Sequence, residues 1–377
     1  MTSKNDDILT VGPFPDCNYV TDGVDDAVQV LQALAALTAN GCLIGYGDLY
    51  IAPGNPIVLD GAAYQNPNYW TAAEFAGKTF TGPTASPRDL RLHLTGTTVD
   101  AGDLIKVDGN NGVIKNMTLD GHRLDENQAT VVLAGCNGIE FTSVKGGVGT
   151  VLQNLIISDC GYAGIAKLNV NGASNLLGYT NWRDIWINKC AYGMRMSSGG
   201  DIIINNMTIS NPYYDCVNLD YTAGYIQFIG GHWWVGANGI LDETTRQAIF
   251  AAGSDIALIG GYGHNIFHNI VFDTWNNFAL VLWGDGTQGN FNGNGNQVIG
   301  CSFYGATKVG GLCVYVHGFR NVIDACTYTW DGSITPSVGI YLDNISQHNT
   351  VTGNTMDHMT YPCYDAGSLN INEHNGA

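Results

Sequence analysis

The chain has 377 residues, with 15 Lys+Arg against 33 Asp+Glu, a formal net charge of −18, and only 13% charged residues. So acidic a balance lacks the basic footprint of a nucleic-acid protein, and no apolar run reaches the ~18–20 residues of a membrane helix. At 45% apolar residues the chain is no disordered polymer, and its 50 glycines are about twice the usual share.

Residues 1–17 read as an N-terminal arm. Met1-Thr-Ser-Lys-Asn-Asp-Asp-Ile-Leu has no basic start followed by an apolar stretch, so no Sec-type leader is expected and folding in a cytoplasm is. Residues 18–60 read as a helical cap and the first strands. Thr21 or Asp22 stands where a cap is needed, Asp25 and Asp26 suit the positive end of a helix, and Asn40-Gly41 stops it. Ala27, Leu31, Leu34 and Ala35 fall on one face. Residues 61–112 read as an irregular collar with Pro67, Pro83, Pro87 and a strand around Leu90–Leu94.

From residue 113 to 366 the sequence repeats. Asn265-Ile-Phe-His-Asn-Ile-Val-Phe-Asp, Asn296-Gln-Val-Ile-Gly-Cys-Ser-Phe-Tyr, Asn321-Val-Ile-Asp-Ala-Cys-Thr-Tyr-Thr and Asn349-Thr-Val-Thr-Gly-Asn-Thr-Met-Asp start 31, 25 and 28 residues apart. An earlier trio starts at Asn154, Asp184 and Asn206. A second short strand follows in most units: Gly193-Met-Arg-Met, Cys216-Val-Asn-Leu, Gly239-Ile-Leu, Ala279-Leu-Val-Leu, Leu312-Cys-Val-Tyr-Val and Gly339-Ile-Tyr-Leu. Such a period leaves no room for crossover helices and shows no hairpin turn at each reversal. It fits a coil that goes round once and stacks on the last: an all-β, parallel β-solenoid. Asn at the turns then forms ladders, and aliphatic, Cys and aromatic residues fill the interior. The ten cysteines show no C-x-x-C pair, so free buried thiols are expected rather than a metal site. Residues 367–377 read as a C-terminal tail.

The segment Asp22-Gly-Val-Asp-Asp-Ala-Val-Gln-Val-Leu-Gln-Ala-Leu, then Gly41, then Ile51-Ala-Pro-Gly, resembles the opening of right-handed parallel β-helix proteins of the pectin-lyase-like superfamily. The form without a leader looks most like bacteriophage tailspike and tail-fibre proteins. That resemblance implies a right-handed helix, a homotrimer, a bacterial surface polysaccharide as partner, neighbouring virion tail proteins, and a place in the virion tail after synthesis in the host cytoplasm. A non-catalytic adhesin and a secreted cellular polysaccharide hydrolase or lyase are the alternatives. Tyr214-Asp-Cys-Val-Asn-Leu is similar to a run in polygalacturonase-type hydrolases, in which Asp215 would match one of two Asp.

Chemistry is expected on the outer face of the second strands. Aligned on their inward residue, they present Ser197, Asp220, Asp242, Trp283, His317 and Asp343 outward, beside Arg195, Asn218, Tyr315 and Tyr341. Asp220 and Asp242, taken as one rung apart, would hold carboxyls about 5–7 Å from each other, the range that glycoside hydrolysis uses. Asp215 or Glu243 would complete the set. Trp233, Trp234, Trp275 and Trp283 are candidate stacking platforms for sugar, with Arg195, Asn218, Tyr315 and His317 as polar contacts. A lyase needs several cations against a uronate, and only Arg195 lies on this stripe, so hydrolysis is favoured. Gly286–Gly295 lacks the Lys-Ser/Thr ending of a phosphate loop, and neither cofactor nor metal is expected.

Overall fold

The computed structural model describes residues 7–38, 40–60, 73–74, 77–95, 102–108, 110–121, 136–142, 147–168, 177–212, 214–234, 257–259, 263–275, 278–283, 294–306, 312–329, 338–357, 359, 361–373 and 375. Of these, the side chains of 60, 73–74, 220–222, 257–259, 274 and 305–306 are left undescribed. The described residues fall into two compact units, Met1–Ala191 and Tyr192–Ala377. Each is a right-handed parallel β-helix, the hand that parallel crossovers adopt almost without exception.

In the first unit, in-register parallel pairing stacks Leu9, Leu43, Phe80, Ile114, Leu152 and Trp182 in one inward column. A second column runs Leu49, Leu92, Leu119, Ile157 and Ile187, and the other sheet adds Ile57, Ile105, Ile139 and Ile165. All of them are buried. The long strands Val113–Asp120, Val151–Ser158 and Thr180–Asn188 bend where Asn116, Asn154 and Asp184 adopt φ of 57°, 52° and 55°. Asn and Asp tolerate that left-handed turn best among residues with a side chain, and Asn154 Nδ2 donates to Asn116 Oδ1 (2.9 Å).

The parallel ladder reaches further than the repeat at 113 indicates. Ile8–Gly12, within the expected arm, pairs with Cys42–Gly45, and Leu90–Leu94 pairs with Gly47–Ile51. The cap helix spans Ala27–Ala36 and buries Ala27, Val30, Leu31, Ala33 and Leu34, while Ala35 faces out. Asp26 makes no side-chain cap bond to it. Its fully buried carboxylate instead accepts the Asp22, Gly23 and Tyr50 amides, tying the approach loop to the first coil.

In the second unit the expected repeats form coils. Asn265, Asn296, Asn321, Asn349 and Asn370 stack as a ladder, each amide oxygen accepting the backbone and side-chain N–H of the previous Asn. Inside, Trp233, Phe272, Phe303, Tyr328 and Met356 occupy one column. Phe272 and Phe303 lie 4.8 Å apart and Phe303 and Tyr328 4.7 Å, near the strand spacing itself. Gly231 is required at its corner, because a Cβ there would sit 2.1 Å from the Met207 carbonyl oxygen. All ten cysteines are free thiols, and seven of them are buried. The ladder also takes in Ile371–Glu373, which pairs with Thr350–Thr352 inside the expected tail.

Candidate functional site

Strand alternation in the second unit exposes one continuous column of rings. Tyr315, Tyr341 and Tyr364 occupy equivalent outward positions on three successive rungs, and Trp283 pairs with His317 two residues further on. Tyr315 stacks on Tyr341 (5.6 Å, 7°) and Tyr341 on Tyr364 (5.2 Å, 10°). Trp283 lies flat on His317 (4.3 Å, 15°) and close to parallel with Tyr315 (6.1 Å, 22°). Trp283 is 38% exposed and Tyr364 46%, so these rings meet solvent rather than core. Flat apolar faces with polar rims are what a pyranose chain stacks on.

One buried carboxylate organises the column. Asp343 Oδ1 accepts the amides of Ile345 (3.0 Å) and Ser346 (3.1 Å), an Asx-type turn. The Ser346 hydroxyl donates to the Val316 carbonyl (2.6 Å), which pins that turn to the preceding rung. Asp343 Oδ2 accepts the Tyr315 hydroxyl (2.9 Å) and faces His317 Nδ1 in a close contact. A carboxylate offers only acceptors, so His317 presents Nδ1–H to it, and Nε2 is the ring nitrogen left over. The arrangement fixes an imidazole beside an exposed indole. Burial, then Asp343, pushes the Tyr315 phenol well above its ordinary range, so Tyr315 stays a donor. Ser346 and Tyr364 escaped the sequence reading. The Asp-x-x-Ser spacing of a turn, and the aromatic that ends Tyr361-Pro-Cys-Tyr one coil after Gly339-Ile-Tyr-Leu, are the signals that reveal them.

The other expected site residues divide clearly. Arg195 and Asn218 pair with each other, in the backbone column that continues through Leu258 and Val281 to Tyr315. The Arg195 guanidinium lies 4.8 Å from the Tyr192 ring centre. Asn218 Nδ2 donates to Asp215 Oδ2 (2.7 Å), and both residues are buried. Asp220 lies on the strand Val217–Ala223, and its side chain is outside the described atoms. Asp242 and Glu243 lie outside the described residues. Their expected geometry needs correction: the rung beside Val217–Leu219 is Ala257–Ile259, so Ile259, not Leu241, stands next to Leu219.

Two tryptophans are also corrected. Trp233 is fully buried, its indole N–H donating to the Met207 carbonyl (3.0 Å) and its ring edge-on to Phe228 and Phe272. Trp275 is 1% exposed and edge-on to Phe303. Their faces are occupied by core packing, so neither is a platform for sugar. Trp234, half-buried on the outward side of its strand, belongs to the other sheet from the ring column.

The first unit carries two charged constellations that sequence reading missed. His93 bridges Asp120 (Nδ1, 3.1 Å) and Asp48 (Nε2, 3.1 Å) and stacks on Tyr50. The bond to Asp120, above all, holds its pKa above the usual imidazole value. Both ring nitrogens are engaged, so this His cross-links rungs. On the other sheet Lys106 joins Asp103 (3.1 Å) to Glu140 (3.2 Å), and burial followed by Glu140 raises Asp103 to about 7. Among the described residues no three His, Cys, Asp or Glu side chains gather as a metal cage requires, and no helix is long and apolar enough to cross a membrane.

No family model matches this chain, and no curated protein matches it in sequence. Solved structures do match. The A-module of the Azotobacter vinelandii mannuronan C-5 epimerase AlgE6 has a TM-score of 0.61 at 11% identity, over 96% of this chain and 97% of that one. DFA-IIIase from Arthrobacter chlorophenolicus A6, in complex with DFA-III, gives 0.55 at 10% identity, over 91% and 94%. The catalytic domain of a GH87 α-1,3-glucanase in complex with nigerose gives 0.52 at 11% identity, over 94% and 67%. At such identities the likeness is one of fold, and that fold is the right-handed parallel β-helix.

Proposed function

We propose that this protein binds a bacterial surface polysaccharide along the ring column of the second unit and hydrolyses it. The exposed stack of Trp283, His317, Tyr315, Tyr341 and Tyr364 around Asp343 is the observation that carries this reading. Support comes also from the fold neighbours, which are named for mannuronan and α-1,3-glucan. In this reading the glycan lies across the rungs, Trp283 and the tyrosines hold its sugar faces, and His317 Nε2 moves a proton at the scissile linkage. Asp220, which follows Leu219 in the register leading to Leu282 and Trp283, is the first carboxylate assigned to the reaction. Asp242 or Glu243 is retained as its partner on sequence grounds alone. The tailspike setting, with a homotrimer and neighbouring virion tail proteins, rests on the likeness of the Asp22–Leu34 cap.

The test is incubation with a panel of bacterial capsular polysaccharides and lipopolysaccharides, scored by reducing-end release and product mass. Hydrolysis adds water to each product, whereas elimination leaves an unsaturated sugar. Trp283→Ala is expected to weaken substrate binding at least tenfold, and Asp220→Asn to abolish release while binding persists. Cleavage unaffected by Asp220→Asn refutes the catalytic assignment. Tight binding without cleavage by the wild type replaces the hydrolase with the non-catalytic adhesin.

A further inference from the structure

We infer that the second unit has a separate glycan-holding surface, on its other sheet, for a neutral pyranose chain. Its floor is Trp234, Asp273 and Tyr304. Parallel register places these three at one outward position on successive rungs, with Thr329 next. Their inward neighbours Trp233, Phe272, Phe303 and Tyr328 are the buried core, so alternation fixes the outward direction of the column. Rungs about 4.8 Å apart put two aromatic side chains on either side of a carboxylate.

The cluster is already organised. His232 Nε2 meets Asp273 Oδ2 at 3.1 Å, and the His232 ring lies 4.5 Å from that of Trp234 at 42°. This contact sets the Asp273 carboxylate as an acceptor for sugar hydroxyls. Tyr304 is 47% exposed and Trp234 half-buried, so ring surface remains for a ligand. The adjoining column His232, Val271, Ser302, Thr327 and Thr355 offers hydroxyls and no Lys or Arg.

The charge decides the ligand class. Among the described residues of these two columns no Lys or Arg offsets Asp273, so a uronic-acid polymer would meet its charge on a chain of net charge −18. A neutral pyranose meets rings, hydroxyls and one acceptor. This surface shares no residue with the Trp283 column, and its test does not depend on cleavage.

Binding is read by tryptophan fluorescence and by calorimetry, with cellohexaose, maltohexaose and laminarihexaose as neutral probes and trigalacturonate as the acidic one. In the Trp283→Ala background at least one neutral hexasaccharide is expected to bind. Adding Trp234→Ala and Tyr304→Ala is expected to weaken that binding at least tenfold with the thermal transition unchanged. Asp273→Asn is expected to admit trigalacturonate that the parent rejects. No neutral probe bound by the Trp283→Ala protein, equal binding after Trp234→Ala and Tyr304→Ala, or equal binding of trigalacturonate by the parent each overturns the inference. Failure of the hydrolase reading leaves these measurements standing, because none of them scores turnover.

Discussion

Asp343→Asn separates the orienting role of this carboxylate from its packing, because the substitution keeps the shape and changes one atom. The amide oxygen can still accept the Ile345 and Ser346 amides. The new NH2 group replaces the acceptor that Tyr315 and His317 share. Hydrogen bonds to a charged acceptor contribute about 1.5–3 kcal/mol each, and neutral ones about 1. With two lost and partly replaced by a turned Tyr315 hydroxyl, the expected loss is about 2–3 kcal/mol, read as a shifted urea midpoint at constant m. His317 must then present a lone pair to the new donor, so its proton moves from Nδ1 to Nε2. Nitrogen-15 NMR of the imidazole reports that tautomer directly. Glycan cleavage is expected to fall 10²–10⁴-fold, the usual contribution of a positioned base. A variant in which His317 keeps its Nδ1 proton, and stability changes by under about 0.5 kcal/mol, refutes the orientation argument.

Asn321→Ala removes an acceptor for Asn296 N and Nδ2 and a donor to Asn349, three residues that are each at most 1% exposed. Stranding two buried donors at about 1–3 kcal/mol each predicts a loss of about 2–6 kcal/mol, with faster amide exchange at Asn296; a loss under about 1 kcal/mol would show water taking the vacated place. Lys167 is 1% exposed, donates to the Thr142 carbonyl, and is lowered by burial to about 8. A lowered lysine contributes stability that is full above its unfolded value of ~10.4 and lost as pH falls through about 8, a swing of about 3 kcal/mol. Lys167→Met is expected to abolish that rise between pH 8 and 10.5 in calorimetric scans and to stabilise the protein at pH 7; an unchanged pH profile refutes the burial argument.

The coil was legible because its signal recurs: Asn265, Asn296, Asn321 and Asn349 each begin a phrase whose apolar residues fall on the same inward positions. The ring face was legible for a related reason, since period-two alternation sends Trp283, Tyr315 and His317 outward once Leu282 and Val316 point in. The order of the rungs was less legible. Gly239-Ile-Leu and Ala257-Leu-Ile have the same apolar spelling, and only pairing with Val217–Leu219 shows which becomes the rung. Trp233 and Trp234 show how sharp the limit is. Adjacent strand residues face opposite sides, so one indole is core and the other surface, and a slip of one residue exchanges them. Trp275 ends its strand, where alternation fails and the side chain turns inward. The partners of His93, and Glu140 as the second partner of Lys106, lie 27 to 45 residues away in the chain, invisible until the rungs are in register.

The low charge of the chain follows from the same stacking. Equivalent positions on successive coils sit about 4.8 Å apart, so a repeated charged residue would build a column of like charges. Asn escapes this because its amide carries both a donor and an acceptor, and identical residues satisfy each other down the ladder. An Asp in the same position would offer acceptors only. Where charges do enter the columns they come in alternation: Lys106 between Asp103 and Glu140, His93 between Asp48 and Asp120, His317 against Asp343. In the first two groups the nitrogen-bearing side chain is held by carboxylates on both sides, which spends it on cross-linking. The third differs. His317 meets its carboxylate through one nitrogen only, and its ring lies under an exposed indole. Of the two histidines, His93 meets carboxylates through both nitrogens and His317 through Nδ1 only, and that asymmetry is the physical reason the functional reading rests on the second unit's ring column.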